Sequence, residues 1–497
     1  MAKEILSIQC GHLSNLIGAH WWNIQQAECH SQEIQHACMF SEEVNAATGI
    51  HTYTPRLLLI DSSGNGRCGG YHSDEDTTPA WDGTVEKHPL EPKKGLKKCK
   101  LDCDIDAGAW SSVLHVPLSR RSRLIIPESS VSTAVDFYPF GLQVWEEKKF
   151  QSNVEDTLRY FAEECDSIQG FHLLSDWSTG FGALATCIAE LIVDEYASKS
   201  IISFPVSSAS CADNNVAAVN TCFALDGMVS NTSLVCPMSS STEAVHPWYS
   251  IAGENPRVQS YEASAVVAAG VLDTITLFYR CVSPLSCASV CAAAGAYGRK
   301  LGVLNASLPL PVNLETPLSS MWKQHGGLHA LLHPLTPFFP NGEEDILWSD
   351  MLSLRGVAPN QPLWPSTDPR FAFHPRLVDL LAEELAAGPQ RHDHYQWSTS
   401  VVEQPLLLYP PSTEPSPPAN VCSPERLLQL PVCASLQSRS GAGQVVAHLH
   451  DKLAHVKLRT MPVFTASAHL EEDSFIELSH RLNALYECYR TSGCSED

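Results

Sequence analysis

Residues 163–196, EECDSIQGFHLLSDWSTGFGALATCIAELIVDEY, carry the clearest structural signal in the chain. The apolar run at 170–174 predicts a buried strand, and the glycine-bearing loop SDWSTGFG follows it directly. The pattern then predicts a helix over 183–196 and a second apolar strand over 201–204. A strand, a glycine loop, a helix and a strand form the unit from which doubly wound α/β domains are built.

The same order of elements is found at the N-terminus. Residues 5–10 are β-prone and lead into GHLSNLIGAHWWN (11–23), a glycine-containing turn followed by a helical pattern. The run LLLI at 57–60 predicts another buried parallel strand, which ends at Asp61. Further helices are predicted over 154–164, 215–229, 261–272, 445–455 and 475–489, and further strands over 233–238, 301–311 and 351–357.

Composition places the chain among globular proteins and excludes several functions. Of 497 residues, 44% are hydrophobic and 18% are charged, and 32 Lys and Arg against 55 Asp and Glu give a net charge of −23. Nucleic-acid binding over the whole surface is therefore not expected, because phosphate contacts need a basic face. No apolar run is long enough to predict a transmembrane helix, and the N-terminus has no signal-peptide h-region. The 18 Cys residues form no C-x-x-C pair and are expected to be small buried hydrophobic residues.

Three segments resemble tubulin, and they occur in the order that tubulin has. EILSIQCGHLSNLIGAHWWN (4–23) resembles its opening strand, phosphate loop and helix, and TYTPRLLLID (52–61) resembles its third strand. Residues 163–196 resemble the tubulin stretch around CLQGFQ and the GGGTGSG loop. More weakly, SLRGV (353–357) falls where tubulins carry an F-R-G strand.

Within the tubulins and their relatives, the chain is most similar to the misato family, tubulin-related proteins tied to mitochondrial distribution and morphology. The segments that carry this resemblance are GAHWWN (18–23), TYTPRLLLID, EECDxxQGF (163–171) and NTSLVCP (231–237). The resemblance implies an α/β, tubulin/FtsZ-like fold. A doubly wound, Rossmann-type N-terminal domain is followed by a smaller α/β intermediate domain and C-terminal helices.

Four parts of the chain follow from this resemblance and from the sequence pattern. Residues 1–245 form the N-terminal domain with a degenerate nucleotide-binding site and an irregular insertion at about 64–147. Residues 246–403 form the intermediate domain. Six prolines in 404–420 indicate a linker, and 421–497 form a C-terminal helical region.

Trp21 and Trp22 open the first helix and are expected to pack under the sheet rather than form an exposed patch.

A tubulin-type nucleotide site binds phosphate through backbone N–H groups of glycine loops and through the positive ends of the helices that follow. The positions of this chain that match the two loops are Gly11, His12, Asn15, Asp176, Thr179, Gly180 and Gly182. Around them the loops are changed. His12, Leu13 and Ser14 replace Gln, Cys and Gly, and Trp177 stands where the backbone must approach phosphate.

Asp176 allows two interpretations. Its carboxylate would repel a phosphate, by about 4 kcal/mol for two unit charges about 4 Å apart at an effective dielectric of about 20. Alternatively it would hold Mg²⁺. We expect degeneration, so no cofactor is predicted, although GTP binding stays open.

Catalysis and resident metals are not expected. RCVSPLSCASVC (280–291) lies where tubulins carry a water-positioning carboxylate, and it contains no Asp, Glu or Asn. No residue is therefore assigned a catalytic role. His325, His329 and His333 have helical spacing, but Gly326 and Gly327 interrupt that helix, and no metal site is predicted.

A basic cluster interrupts this acidic chain. It comprises Lys93, Lys94, Lys97, Lys98, Arg120, Arg121 and Arg123. Such a cluster is a candidate contact with anionic lipid or with a protein partner. The simpler interpretation is a solvated loop.

The resemblance implies a non-enzymatic regulator of mitochondrial distribution, morphology and fusion. It would be cytoplasmic, associated peripherally with the mitochondrial outer membrane, and bound to protein partners there, with tubulin or other cytoskeletal proteins as further candidates. The main alternative is a GTP-binding, tubulin-like protein of microtubule or spindle organisation. A third class, an enzyme using Asp61, Asp176 and His12 in the old cleft, has no positive support.

Overall fold

The protein is described from a computed structural model. The described residues are 3–44, 51–62, 110–126, 135–207, 214–239, 256–282, 284–295, 298–339, 345–365, 373–388, 391–408, 428–457, 461–465 and 470–490. Two main sheets and the helices around them make up this part of the chain.

The strands are β1 (Glu4–Cys10), β2 (Phe40–Val44), β3 (His51–Pro55), β4 (Leu57–Ser62), β5 (Arg123–Ile126), β6 (Ile168–Asp176), β7 (Ser200–Ser207), β8 (Leu234–Val235), β9 (Met238–Ser239), β10 (Val303–Ser307), β11 (His333–Pro334), β12 (Leu347–Arg355), β13 (Arg391–Val402), β14 (Leu406–Leu408), β15 (Leu428–Leu430) and β16 (Val432–Arg439). The helices are α1 (His12–Ala27), α2 (Trp110–Val113), α3 (Tyr138–Trp145), α4 (Lys148–Glu163), α5 (Phe181–Glu195), α6 (Asn215–Asn231), α7 (Pro256–Arg280), α8 (Cys287–Ala294), α9 (Leu318–Gln324), α10 (Leu328–Leu331), α11 (Phe373–Ala387), α12 (Ala442–His455), α13 (Pro462–Thr465) and α14 (Glu472–Tyr489).

The larger sheet is parallel and has the strand order β5-β4-β1-β6-β7-β8, with β9 also paired to β7. Its central strands are buried along almost their whole length, as expected for a parallel sheet covered on both faces. Cys10 lies opposite both Ile60 and Ser175. The carboxyl ends of β1, β4 and β6 are therefore level, and the loops that follow them meet at one edge.

Helices cover both faces of this sheet. The helices α1 and α7 pack on one face in a large apolar core, and α3 to α6 pack on the other with α12 and α14. Trp21 and Trp22 are fully buried in the first core, as the sequence predicts. The predicted doubly wound N-terminal domain is thus confirmed.

The smaller sheet has the strand order β11-β10-β16-β12-β13. Only β12 and β13 run parallel, and the other pairs are antiparallel. Its middle strand, β16, comes from the region predicted to be helical. A short apolar run after the proline-rich segment gave no clear period, so this strand was missed. The predicted range 246–403 for the intermediate domain therefore leaves out β16, although β16 is part of the sheet of that domain.

The predicted insertion also needs correction. Residues 123–126 form β5, which pairs with β4 at the edge of the large sheet, so this part of 64–147 belongs to the domain itself. Residues 138–145 likewise form the helix α3. The stretch from 63 to 109 lies outside the described residues.

A buried ionic cluster joins the two sheets at the end of α1. Arg355, from β12, donates to the Asp273 carboxylate of α7 at 2.7 Å and to the carboxylate of Glu28, the residue that caps α1. Arg280 donates to the other Asp273 oxygen at 2.6 Å and lies 3.6 Å from Glu28. All four side chains are at most 2% exposed. Two positive and two negative charges thus compensate each other inside the protein, with the Trp21 indole N–H as a further donor to Asp273.

Candidate functional site

The first candidate loop lies at the N-terminal end of α1, directly after β1. The carboxylate of Asp176, at the end of β6, accepts hydrogen bonds from the backbone N–H groups of Leu13 at 2.9 Å and Ser14 at 2.7 Å. It also accepts the Ser14 hydroxyl. The first N–H groups of a helix have no partner within the helix and form its anion-binding end. Here an internal carboxylate binds them.

Gly11 makes this arrangement sterically feasible. Its φ of 110° lies in the left-handed region that favours glycine. A Cβ atom at Gly11 would also lie only 2.5 Å from the Asp176 Cγ. The glycine predicted to admit a phosphate therefore admits a carboxylate of the same chain.

Burial and hydrogen bonding act on Asp176 in opposite directions. The side chain is buried, and burial raises the pKa of the Asp176 carboxyl above its ordinary value, whereas the bonds from Ser14 and Leu13 lower it. His12, which opens α1, lowers it further through its charge. All donors to this carboxylate are N–H and O–H groups of α1, which is how a helix end binds an anion.

The second candidate loop, at the N-terminal end of α5, is also internally bonded. The Thr179 hydroxyl donates to the Asp176 carbonyl oxygen at 2.8 Å and accepts the Phe181 N–H at 3.3 Å. The Gly182 N–H donates to the Thr179 carbonyl at 3.1 Å, and the Gly180 N–H donates to the Val135 carbonyl at 3.0 Å. The N–H groups expected to face phosphate are therefore used within the fold.

Residues 135–141 cover this second loop directly. A Cβ on Gly180 would lie 2.5 Å from the Phe137 carbonyl oxygen, and one on Gly141 would lie 2.0 Å from the Gly180 carbonyl oxygen. Asn220 of α6 fixes the cover, because its amide donates to the Ser178 carbonyl at 2.8 Å and accepts the Tyr138 N–H at 2.9 Å. The start of α3 is thus in backbone contact with the start of α5.

Trp177, in the second loop, packs in the apolar core on the α5 face of the large sheet. Its ring is fully buried, and its indole N–H donates to the Ser207 hydroxyl at 2.5 Å. The other carboxylate considered for the cleft, Asp61, is also buried and accepts the Trp110 indole N–H at 2.6 Å and the Ser62 N–H at 2.8 Å. Both carboxylates of the supposed cleft therefore have internal donors.

The structure brings most of the predicted loop residues together. Gly11, His12 and Asp176 meet at the start of α1, and Thr179, Gly180 and Gly182 lie at the start of α5. Asn15 is buried and donates to the Ile60 carbonyl at 3.0 Å, which ties α1 to β4. Sequence reasoning missed Gly141 and Asn220, which hold the cover over the second loop. They lie outside both motifs, so no local signal marked them.

No metal centre emerges in the part of the chain that the structure describes. No group of three or more His, Cys, Asp or Glu side chains there could hold a metal ion. Both Asp176 oxygens already accept hydrogen bonds, so this geometry gives no support to the Mg²⁺ interpretation.

The basic cluster is only partly described, because Lys93, Lys94, Lys97 and Lys98 lie outside the described residues. The Arg121 guanidinium lies 4.3 Å from the centre of the Tyr160 ring, and that of Arg123 lies 5.6 Å from the centre of the Trp110 ring. Arg120 is exposed. Among the described helices, none is long and apolar enough to cross a membrane.

Comparison with known proteins agrees with this architecture. A family model described as the Misato Segment II tubulin-like domain matches residues 3–94, and a tubulin domain model matches residues 128–277. Protein misato homolog 1 of Homo sapiens is 28% identical, with 98% of each chain covered. Protein misato of Drosophila melanogaster is 23% identical, with 99% of each chain covered. The matched models contain both loops of the candidate site.

Proposed function

Because this chain belongs to the misato family and has tubulin-like domains, we propose that it is a non-enzymatic regulator of mitochondrial distribution, morphology and fusion that works without a bound nucleotide. The mitochondrial part of this proposal rests on the family resemblance. The nucleotide-independent part rests on one observation, the Asp176 carboxylate at the N-terminal end of α1.

A bound nucleotide would compete with Asp176 for the same donors. A phosphate can reach the Leu13 and Ser14 N–H groups only if the carboxylate leaves them. If it stays nearby, the two anions repel each other by about 4 kcal/mol at about 4 Å and an effective dielectric of about 20. This competition supports a protein in which the tubulin-like fold serves as a scaffold rather than as a nucleotide switch.

The absence of an enzymatic activity is likewise a proposal. General-base catalysis needs a side chain that can take a proton from the attacking water. Asp61 and Asp176 accept hydrogen bonds from protein donors, and the segment 280–291 contains no carboxylate. These features support a role as a scaffold. They give no support to the alternative, a GTP-binding protein of microtubule or spindle organisation.

We propose that the protein acts from the cytoplasm, bound peripherally to protein partners at the outer mitochondrial membrane. The basic cluster is the candidate contact, because basic residues near an anionic lipid surface contribute about 1 kcal/mol each. Reversal of Lys93, Lys94, Lys97 and Lys98 to Glu is then expected to release the protein from co-sedimenting mitochondria. Lys148→Glu with Lys149→Glu, on the exposed side of α4, should not. Equal co-sedimentation of both variants would exclude this contact.

The nucleotide content of the purified protein tests the central claim. We expect no guanine nucleotide on denaturing release, and no saturable binding when GTP is titrated with Mg²⁺, with purified tubulin as the positive control. Stoichiometric GTP, or a micromolar dissociation constant, would overturn nucleotide independence. Gly180 is unsuitable for a blocking substitution, because its Cβ would strike the Phe137 carbonyl oxygen and damage the fold.

Depletion and re-expression in cells test the mitochondrial part separately. We expect depletion to alter mitochondrial distribution and shape, and wild-type protein to restore both. A spindle defect with normal mitochondria would overturn this part and favour the alternative function, whatever the nucleotide result.

A further inference from the structure

A groove of about 350 Å³ lies beside the small sheet, away from the candidate site. One wall is the C-terminal end of α7 and the turn after it, with Phe278, Val282 and Leu285. The other wall is the C-terminal half of β13, residues 398–402, and Glu33 also lines the groove. Val282 is 60% exposed and Leu285 is 37% exposed. Large apolar side chains thus border an open groove.

The strand on this wall has a free edge. It pairs with β12 on one side, and no strand of the described chain pairs with its other side. The Gly356 N–H donates to the Val402 carbonyl at 3.1 Å, so the backbone of Val402 faces towards β12. Because these groups alternate along a strand, those of Thr399 and Val401 face outwards into the groove.

The side chain of Glu33 already binds backbone N–H groups just beyond the end of β13. Its carboxylate accepts the N–H of Glu403, the next outward-facing residue, at 3.1 Å, and that of Gln404 at 3.0 Å. Among the described residues it forms no ion pair with Lys or Arg. The end of the groove therefore carries a negative charge next to a backbone edge.

The two halves of β13 differ in how they would resist pairing. Residues 391–396, RHDHYQ, are charged and polar, as edge strands that avoid association usually are. Residues 398–402, STSVV, carry no charge. The unprotected half is the one that faces the apolar groove.

We propose that this groove binds an extended segment of a partner protein, which adds a strand to β13 at Thr399 and Val401. The segment would place apolar side chains at alternate positions against Val282 and Leu285 and a Lys or Arg beside Glu33. Backbone pairing supplies affinity in this mode of recognition, and side-chain pockets supply specificity. A second copy of the chain is a poor occupant, because each copy carries a net charge of −23. The proposal does not depend on the mitochondrial role.

A display library of random decapeptides, selected on the full-length protein, tests the proposal. We expect enrichment of alternating apolar residues with a basic residue near one end. A synthetic peptide of the enriched sequence should bind at least tenfold more weakly to Thr399→Pro, which removes an outward N–H but no bond to β12. It should also bind at least tenfold more weakly to Leu285→Asp. Ile476→Asp, at an apolar residue of α14 that is 56% exposed and lies outside the groove, is the control and should bind normally.

Two further measurements locate the contact. Hydrogen exchange should slow at the Thr399 and Val401 amides when the peptide is bound, and Glu33→Gln should weaken binding about two- to fivefold because an exposed ion pair contributes little. Failure to enrich any sequence, or equal binding to wild type and Leu285→Asp, would overturn the proposal. So would a dimer in sedimentation that Thr399→Pro dissociates, because the occupant would then be a second copy.

Discussion

The two ends of α1 each bind a buried carboxylate, but they do so by different means. At the N-terminal end, Asp176 is held by two backbone N–H groups and one hydroxyl of α1 itself. At the C-terminal end, Glu28 is held by the guanidinium groups of Arg280 and Arg355. The helix dipole favours a negative charge at the first end and opposes it at the second.

The N-terminal end of α1 is therefore a substituted ligand site, in which Asp176 takes the place of an external anion. The C-terminal end is a structural joint, in which Glu28 belongs to the ionic cluster between the two sheets. The first end offers donors that any helix start provides, so one acidic side chain is enough to take the place of an external anion. The second end needs two buried cations from other elements, α7 and β12, and therefore connects the large sheet to the small one. Breaking the joint should affect stability more than opening the substituted site.

The largest effect is expected for Arg355→Met. This change leaves Glu28 and Asp273 with a single cation, and removing one partner from a buried ion pair typically destabilises a protein by about 3–5 kcal/mol. We expect a large fall in the midpoint of denaturant unfolding. Arg490→Met, at an exposed residue that pairs with Glu487, should change it by less than about 1 kcal/mol. Similar midpoints for the two variants would show that the cluster does not connect the sheets.

A smaller effect is expected for Asp176→Ala. The Leu13 and Ser14 N–H groups lose their acceptor, which should lower stability by about 2–3 kcal/mol. If these groups form an anion site, added phosphate should stabilise the variant in proportion to its occupancy. Wild-type protein should not respond, because Asp176 already binds the donors.

Asp166→Ala serves as the control, since Asp166 is exposed and both its stability and its response to phosphate should match wild type. Equal stabilisation of wild type and Asp176→Ala by phosphate would mean that the amides are reachable with Asp176 in place. That outcome would also weaken the proposal of nucleotide independence.

Much of this contrast was accessible from sequence, but its geometry was not. The altered loop SDWSTGFG predicts a degenerate site with the Asp176 carboxylate near the expected phosphate position. That its carboxylate accepts from Leu13 and Ser14 depends on residues more than 160 positions away, and no local pattern reports such a contact. The pairing of Glu28 with Arg355 was hidden for the same reason. The strand β16 was missed because eight residues carry too little periodic signal after a proline-rich stretch.

Another buried carboxylate, that of Asp350 in β12, has fewer hydrogen-bond donors around it than Asp176 or Glu28. Gln437 donates to one of its oxygens at 2.9 Å, and the other has no hydrogen-bond partner among the described residues. His329 lies 4.0 Å away, and burial lowers the pKa of its imidazole to about 4, so it is neutral at neutral pH. Burial raises the pKa of Asp350 to about 7.

Asp350 should therefore make stability depend on pH. Burial also raises the pKa of Glu28, so the contribution of Asp350 is measured as the difference from a variant that cannot titrate at this position. The folded state binds its proton more tightly than the unfolded state, whose pKa is near 3.8. The stabilisation is thus complete below about pH 4 and is lost as pH rises to about 7, by at most about 1.4 kcal/mol per pH unit. Asp350→Asn retains the acceptor for Gln437 but cannot titrate, so wild type should lose stability relative to it between pH 4.5 and 7. Asp451→Asn, 79% exposed, should follow wild type at every pH. A constant difference between Asp350→Asn and wild type would show that the orphaned oxygen is solvated in the folded protein, and the ranking of the three carboxylates by their donors would then fail.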